Sequence, residues 1–196
     1  MVSRVASSGG PSDAELIARV VGGDAAAFGT IVERYQDRLY NAIYRIVGSH
    51  EDARDLAQDT FVKAFENLQS FRGTSGLYTW LFRIAVNTSL SHRRKRKWVH
   101  ASASTTSDGG PAEEAWPDPA AADPADPLLA AEKERIVQQA LAALDEEHRI
   151  VVVLRDIQHC DYREMAEILE VPPGTVKSRL HRARLMLRDK LKPLLK

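Results

Sequence analysis

The chain has 196 residues, with 27 Lys and Arg, 27 Asp and Glu, and a formal net charge of zero. Its 44% hydrophobic and 28% charged residues are ordinary for a globular chain with a buried core, which excludes collagen-like, disulfide-rich and wholly disordered proteins. One cysteine, Cys160, permits no intramolecular disulfide and favours a reducing cytoplasm. The apolar runs are too short to predict a signal peptide or membrane insertion.

The zero net charge hides a segregation of charge along the chain. Residues 72–97 carry seven basic residues and no acid, and residues 171–196 carry eight basic residues against Asp189 alone. Between them, residues 98–132 carry seven acids and no base. This asymmetry favours two polyanion-binding segments joined by an acidic connection.

The N-terminal part, residues 12–97, is predicted to be a helical domain. Apolar residues recur every three or four positions, and this pattern predicts four helices, over about residues 12–21, 24–47, 50–68 and 77–97. Ser49 is the expected N-cap of the third helix, whose inward stripe includes Phe61 and Phe65. A loop over residues 69–76 precedes the fourth helix, which runs into a basic cluster.

The segment over residues 98–131 has a different composition. It is rich in Ala, Ser, Thr, Asp, Gly and Pro, and five of the nine prolines lie in it. Such a segment buries too little apolar surface to offset the entropy of ordering it. It is therefore predicted to be a flexible acidic linker, which spans roughly 100 Å when extended and lets the flanking domains occupy separate places on one partner.

The C-terminal part, residues 132–196, is predicted to be a second helical domain. Helical phase predicts four further helices, over residues 128–144, 146–156, 162–169 and 175–191. Residues 150–154 would suit a buried strand by length, but they keep helical phase and no partner strand is visible. The fold class is thus predicted to be all-α, with two small helical domains.

The last two helices form a predicted helix-turn-helix. Val171 fills the turn, while Pro172 and Pro173 stop one helix and start the next. Polar and basic side chains face outward near the start of the last helix and suit contact with a DNA major groove: Thr175, Lys177, Ser178, Arg179, His181 and Arg182. The alternative is a solvated helix face, but the turn, the inner stripe and the polar start coincide, which favours DNA binding.

His159 and Cys160 form a pair that invites a metal or redox hypothesis. No further ligands follow at zinc spacing, so we expect a surface histidine beside a small buried thiol, followed by Asp161 as an N-cap. The sequence predicts no metal site and no cofactor.

Long stretches of the chain resemble the extracytoplasmic-function (ECF) sigma factors of bacteria. The stretches LDEEHRIVVVLRDIQ and YREMAEILEVPPGTVKSRLHRARLMLRDKL resemble region four of that family. The stretches DARDLAQDTFVKAF and SFRGTSGLYTWLFRIAVNTSLSHRRKRK resemble region two. The resemblance implies a region-two helical bundle over residues 12–97 and a region-four helix-turn-helix domain over residues 132–196.

The resemblance also implies partners. In the family, region two binds the β′ clamp helices of core RNA polymerase and opens the −10 element of promoter DNA, while region four reads the −35 element and docks on the β flap. The linker passes through a positively charged channel of the polymerase, which suits its acids. An anti-sigma factor commonly holds such proteins inactive, and we expect one here by resemblance.

The implied core-binding residues form an acidic and amide face of the third helix: Asp52, Asp55, Gln58 and Asp59. From the residues alone, a solvated acidic face is an equal alternative. The implied −10 residues lie in the loop and fourth helix: Phe71, Arg72, Gly73, Arg83, Asn87, Arg93 and Arg94. Asn87 matches the asparagine beneath the flipped base, and its amide both donates and accepts. For Phe71 and Trp80 we expect core packing rather than base stacking, because they interleave with the apolar stripe.

The sequence suggests three alternative functions. The favoured one is a promoter-specificity subunit of RNA polymerase. The second is an autonomous helix-turn-helix regulator whose N-terminal half serves in dimerisation or sensing, acting without core polymerase. An enzyme is disfavoured, because the sequence contains no Gly-rich phosphate loop, no nucleophile and base set and no cluster of metal ligands.

Overall fold

The computed structural model describes residues 10–102 and 127–192, with side chains described for residues 10–96 and 132–192. The described residues are helical and contain no strand, so the all-α prediction is confirmed. The helices are α1 Asp13–Val21, α2 Ala26–Val47, α3 His50–Asn67, α4 Leu77–Ser102, α5 Pro127–Ala142, α6 Glu146–Val152, α7 Tyr162–Leu169 and α8 Pro173–Leu191. A 3-10 turn, Leu68–Ser70, follows α3, and one π-helical turn, Val153–Ile157, follows α6.

Side-chain caps begin the first and third helices, and the cap of the third helix is the one that the sequence predicts. Ser12 accepts a hydrogen bond from the Glu15 backbone N–H, and the Glu15 carboxylate accepts one in return from the Ser12 backbone N–H over 2.7 Å. Ser49 accepts from the Asp52 backbone N–H over 3.2 Å. These bonds satisfy backbone donors that have no partner inside their helices.

The apolar stripes of α2, α3 and α4 pack into one core, with one departure from the prediction. Phe61 is buried as expected, but Phe65 is 45% exposed and Val62 is 50% exposed. The Phe65 ring, on α3, packs edge-on against Phe28 of α2, with ring centroids 5.1 Å apart. An open apolar groove of about 750 Å³ results, and it is lined in part by Phe28, Phe61, Val62 and Phe65.

The predicted helix-turn-helix is confirmed in its local detail. Asp161 caps α7 by accepting from the Arg163 and Glu164 backbone N–H groups. Glu170 closes the helix in the left-handed conformation, and Pro173 occupies the first turn of α8. The two helices bury their facing apolar side chains, among them Met165, Ile168, Val176, Leu180 and Ala183.

The residues that precede this motif also match the expectation. His159 is exposed, with a φ of 58°, and Cys160 is buried at 4% exposure. Burial raises the pKa of the Cys160 thiol to about 12. The thiol is therefore protonated and inert at neutral pH.

Helical backbone enters both ends of the segment predicted as a linker, because α4 continues to Ser102 and α5 begins at Pro127. The remainder of that segment, residues 103–126, lies outside the described residues. The two helical units nevertheless contact each other directly: α5 and α6 pack at the end of α2, and α7 packs on α4. Buried side chains of both units form one continuous core, an arrangement that the sequence did not predict.

Candidate nucleic-acid interface

The start of α8 presents the side chains that the sequence predicts for DNA reading. Lys177, Ser178, His181 and Arg182 are exposed, while Thr175 is half-buried. Their neighbours on the opposite face of the helix point into the core, so the helix is fixed with its polar face outward. This placement matches the geometry of a recognition helix in a helix-turn-helix.

Two basic side chains of this face are held by neighbours. Arg179 forms an ion pair with Glu147 of α6, with 3.0 Å between Nη2 and Oε2. The Lys177 ammonium lies 5.5 Å from the centre of the Tyr162 ring, within the range of a cation–π contact. These contacts limit the positions of both cations before any DNA is bound.

A cavity of about 400 Å³ lies between α3, the following loop and α4. Six of its eight lining residues have polar side chains, and Trp80 and Ile84 complete the lining: Lys63, Asn67, Ser70, Trp80, Ile84, Asn87, Thr88 and Ser91. Asn87 is exposed to solvent, and Trp80 is 7% exposed. An amide can form hydrogen bonds with the edge of a flat polar ring, and an aromatic side chain beside it can stack on the face of that ring.

Hydrogen bonds fix the α3 side of this cavity. Lys63 Nζ donates to Thr88 Oγ1 over 3.3 Å, and Asn67 Nδ2 donates to the Lys63 carbonyl over 2.8 Å. Neither Lys63 nor Asn67 is among the residues that the sequence predicts for this site. Their i, i+4 spacing places them on one face of α3, but only the packing of α3 on α4 brings that face to Asn87.

The aromatic residues behave largely as expected. Trp80 packs in the core and also lines the cavity, and Phe71 is half-buried with its ring centroid 5.2 Å from that of Trp80. Core packing is therefore confirmed for Trp80. Phe71 supports the indole from the loop side.

The other residues predicted to contact the −10 element differ in their exposure to solvent. Arg72, Gly73 and Arg94 are exposed, and Arg83 is half-buried. Arg93 instead donates from Nη1 to the Ile46 carbonyl over 3.0 Å. Arg93 therefore contacts the end of α2 and is less exposed to solvent than its neighbour Arg94.

The predicted core-binding face is also divided. Asp55, Gln58 and Asp59 are exposed on α3. Asp52 forms an ion pair with Arg96, and its carboxylate lies 3.6 Å from Nε2 of His92. Asp52 thus ties α3 to the basic end of α4, and only the other three residues present an open polar surface.

Among the residues with described side chains, no group of three or more His, Cys, Asp or Glu residues is placed to hold a metal ion. No helix in the described part of the chain is long and apolar enough to cross a membrane.

Known proteins share both halves of this arrangement. The sequence profile of Sigma-70 region 2 matches residues 31–99, and that of Sigma-70 region 4 matches residues 134–187. The ECF RNA polymerase sigma-E factor of Haemophilus influenzae is 35% identical, over 94% of this chain and 97% of its own length. The RNA polymerase sigma-H factor of Pseudomonas aeruginosa is 36% identical, over 94% and 96%.

Solved structures agree with these matches. CnrH, in complex with the cytosolic domain of CnrY, is 28% identical with a TM-score of 0.65, covering 91% of this chain and 96% of CnrH. The sigma factor RpoE of Bartonella quintana, in complex with the anti-sigma factor NepR, is 28% identical with a TM-score of 0.68, covering 84% and 96%. Because the profiles of both regions match and the relatives are matched over nearly their whole length, the chain belongs to the ECF family of RNA polymerase sigma factors, which direct transcription from promoters.

Proposed function

We propose that this sigma factor binds core RNA polymerase, reads a −35 element with the start of α8, and traps an unpaired base of a −10 element in the cavity beside Asn87. The cavity carries the proposal, because a base inside a duplex cannot present its pairing edge to a protein. Region two corresponds to residues 12–97 and region four to residues 132–196. Opening the DNA uses binding energy, without covalent chemistry.

The cavity supports this role through its chemistry. Asn87 supplies an amide for the pairing edge of a base, and the indole of Trp80 supplies an apolar wall. Lys63 adds a positive charge at the same place, which favours the phosphate next to a captured base. Arg72 and Arg94, both exposed, extend this positive surface along the strand.

One surface supports contact with the polymerase, and two solved structures of relatives support contact with a regulator. Asp55, Gln58 and Asp59 offer an acidic and amide face that suits a basic partner helix, the role of the β′ clamp helices in the family. Region four is proposed to dock on the β flap. The structures of CnrH with CnrY and of RpoE with NepR support an anti-sigma factor as a further partner. The proposed site of action is the cytoplasm.

The autonomous regulator is the weaker candidate, because region two occupies the half that would have to serve as its sensing or dimerisation domain. Transcription in vitro separates the two. Core polymerase, the purified chain and fragmented genomic DNA should yield transcripts that core polymerase alone does not produce. A chain that yields no such transcripts, yet shifts duplex DNA tightly without polymerase, would be an autonomous regulator.

A further inference from the structure

The last residue of α3, Asn67, carries a side-chain amide that is held in one orientation at the wall of the cavity beside Asn87. Its Nδ2 donates to the Lys63 carbonyl over 2.8 Å, and Ser70 Oγ donates to the Asn67 carbonyl over 2.7 Å. A carbonyl oxygen only accepts hydrogen bonds, so the amide nitrogen of Asn67 must face Lys63. The other end of the amide, Oδ1, is then the acceptor that Asn67 offers to a ligand.

The Oδ1 atom of Asn67 is accessible to a ligand in the cavity. No residue with a described side chain donates a hydrogen bond to it, and Asn67 is exposed where it lines the cavity. An acceptor that loses water without gaining another donor costs free energy. A ligand that covers Oδ1 must therefore supply an N–H or O–H group.

Asn87, on α4, differs from Asn67 in this respect. It is exposed, and its side chain forms no hydrogen bond with any residue whose side chain the structure describes. Its amide can therefore turn over and present either the oxygen or the nitrogen to a base. Asn87 can hold the edge of any base, whereas the fixed amide of Asn67 can select among bases.

Lys63 provides a donor next to the acceptor of Asn67. Its ammonium carries N–H groups and no acceptor, and it donates to Thr88 Oγ1 over 3.3 Å. Lys63 and Asn67 lie one helical turn apart on α3, so the cavity wall presents an acceptor beside a positively charged donor. Adenine, cytosine and guanine each carry an exocyclic amine beside a ring acceptor, which matches this pair. Thymine has no amine, and its one ring N–H lies between two carbonyl oxygens.

We propose that Asn67 Oδ1 accepts a hydrogen bond from the exocyclic amine of the captured base, and that Asn67 thereby excludes thymine from the cavity. The inference rests on the proposed function, because it assigns the class of base that the same cavity takes. With thymine in place of an amine base, a carbonyl oxygen would face Oδ1, and both acceptors would lose water without gaining a donor. Asn67 is thus a specificity-determining residue, while Asn87 contributes to the binding of every base.

Base analogues that lack the amine test this hydrogen bond. The probes are single-stranded oligonucleotides from the nontemplate strand just upstream of a start site that the transcription assay identifies, and their binding to holoenzyme is measured by fluorescence anisotropy. The captured position is the one where an abasic site weakens binding. There, adenine is replaced by purine, cytosine by 2-pyrimidinone and guanine by hypoxanthine, and each replacement removes only the amine. For the base that binds most tightly, the native chain should lose about threefold to tenfold in affinity.

The same probes are then bound to holoenzyme that contains Asn67→Ala. This variant should bind the amine base and its analogue equally, because the acceptor of the amine is missing. Gln69→Ala is the matched control, since it removes an exposed amide two residues further along the chain, outside the cavity lining. The control should keep the full difference between base and analogue. Each ratio compares two probes on one protein, so a change in the stability of region two cancels.

A difference between base and analogue that persists unchanged in Asn67→Ala would overturn the inference. So would a native holoenzyme that binds thymine at the captured position as tightly as the best amine base. In both cases an abasic site still weakens binding, so base capture and the proposed function stand. If no abasic site in the series weakens binding, the cavity captures no base, and the inference falls together with the proposed function.

Discussion

Asn87 is the side chain that most directly links the structure to base recognition. Asn87 is exposed and lines the cavity, and the neighbouring indole and Lys63 are fixed by packing and hydrogen bonds. If the amide binds the pairing edge of a captured base, Asn87→Ala should weaken binding of the holoenzyme to −10 single-stranded DNA by about 1 to 3 kcal/mol. Fluorescence anisotropy measures this loss.

A series of oligonucleotides, each with one abasic site, serves as the control for Asn87. At the captured position the wild-type protein and Asn87→Ala should bind equally, because the partner of the amide is missing. At every other position the loss should persist. A loss that stays constant across the whole series would show that Asn87 acts only through the stability of region two.

His159, which precedes the helix-turn-helix, adopts a backbone angle that is unfavourable for a residue other than glycine. Its φ of 58° lies in the left-handed region, which costs a residue with a Cβ more than it costs glycine. His159→Gly should therefore raise the free energy of unfolding by roughly 0.5 to 1 kcal/mol. Denaturant unfolding checks this value. His159→Ala is the matched control: it also removes the imidazole but keeps the unfavourable angle, so an equal gain from both would contradict the explanation.

At the scale of the element, α8 carries exposed basic residues for which we expect two different roles, base recognition and sequence-independent attraction to DNA. Arg182 and Lys190 are both exposed on this helix, but only Arg182 belongs to the set of residues predicted to contact a major groove. Arg182→Ala should cost about 1 to 3 kcal/mol at promoters with an intact −35 element and much less where that element is changed. Lys190→Ala should reduce binding slightly and equally at both. Transcription from paired promoters measures the ratio.

The helices were largely predictable because their signals are local. Ser49, Asp161 and Pro173 mark helix starts within a few residues of chain, and the structure has them as caps or first-turn residues. The exposed edge of Phe65 and the cavity wall formed by Lys63 were not predictable in the same way. Both depend on how α3 packs against α2 and α4, and periodicity within one helix does not contain that information.

At the scale of the whole molecule, the sequence predicts two units but not their contact. Arg149 gives no signal in a linear reading, yet it is buried and bonds to carbonyls of both units. Burial lowers its pKa to about 10, so the guanidinium stays charged at neutral pH and needs these acceptors. The contact depends on residues about one hundred positions apart, which no local pattern identifies.

The structure shows where the two basic segments of the chain lie. One basic segment lies on α8, and the other follows the cavity along α4, where Asp52, Glu146 and the Ile46 carbonyl already bind part of it. The chain thus neutralises part of its own basic surface. Zero net charge is therefore compatible with a DNA-binding protein of this kind.

Mapping of transcript 5′ ends tests the central claim most directly. Core polymerase and this sigma factor should start transcription on genomic DNA at sites that share two motifs, centred about 25 base pairs apart. Asn87→Ala should alter the preferred bases only in the motif nearer the start, and Arg182→Ala only in the farther one. Start sites without two motifs, or variants that alter the same motif, would contradict the assignment of the cavity and α8 to separate promoter elements.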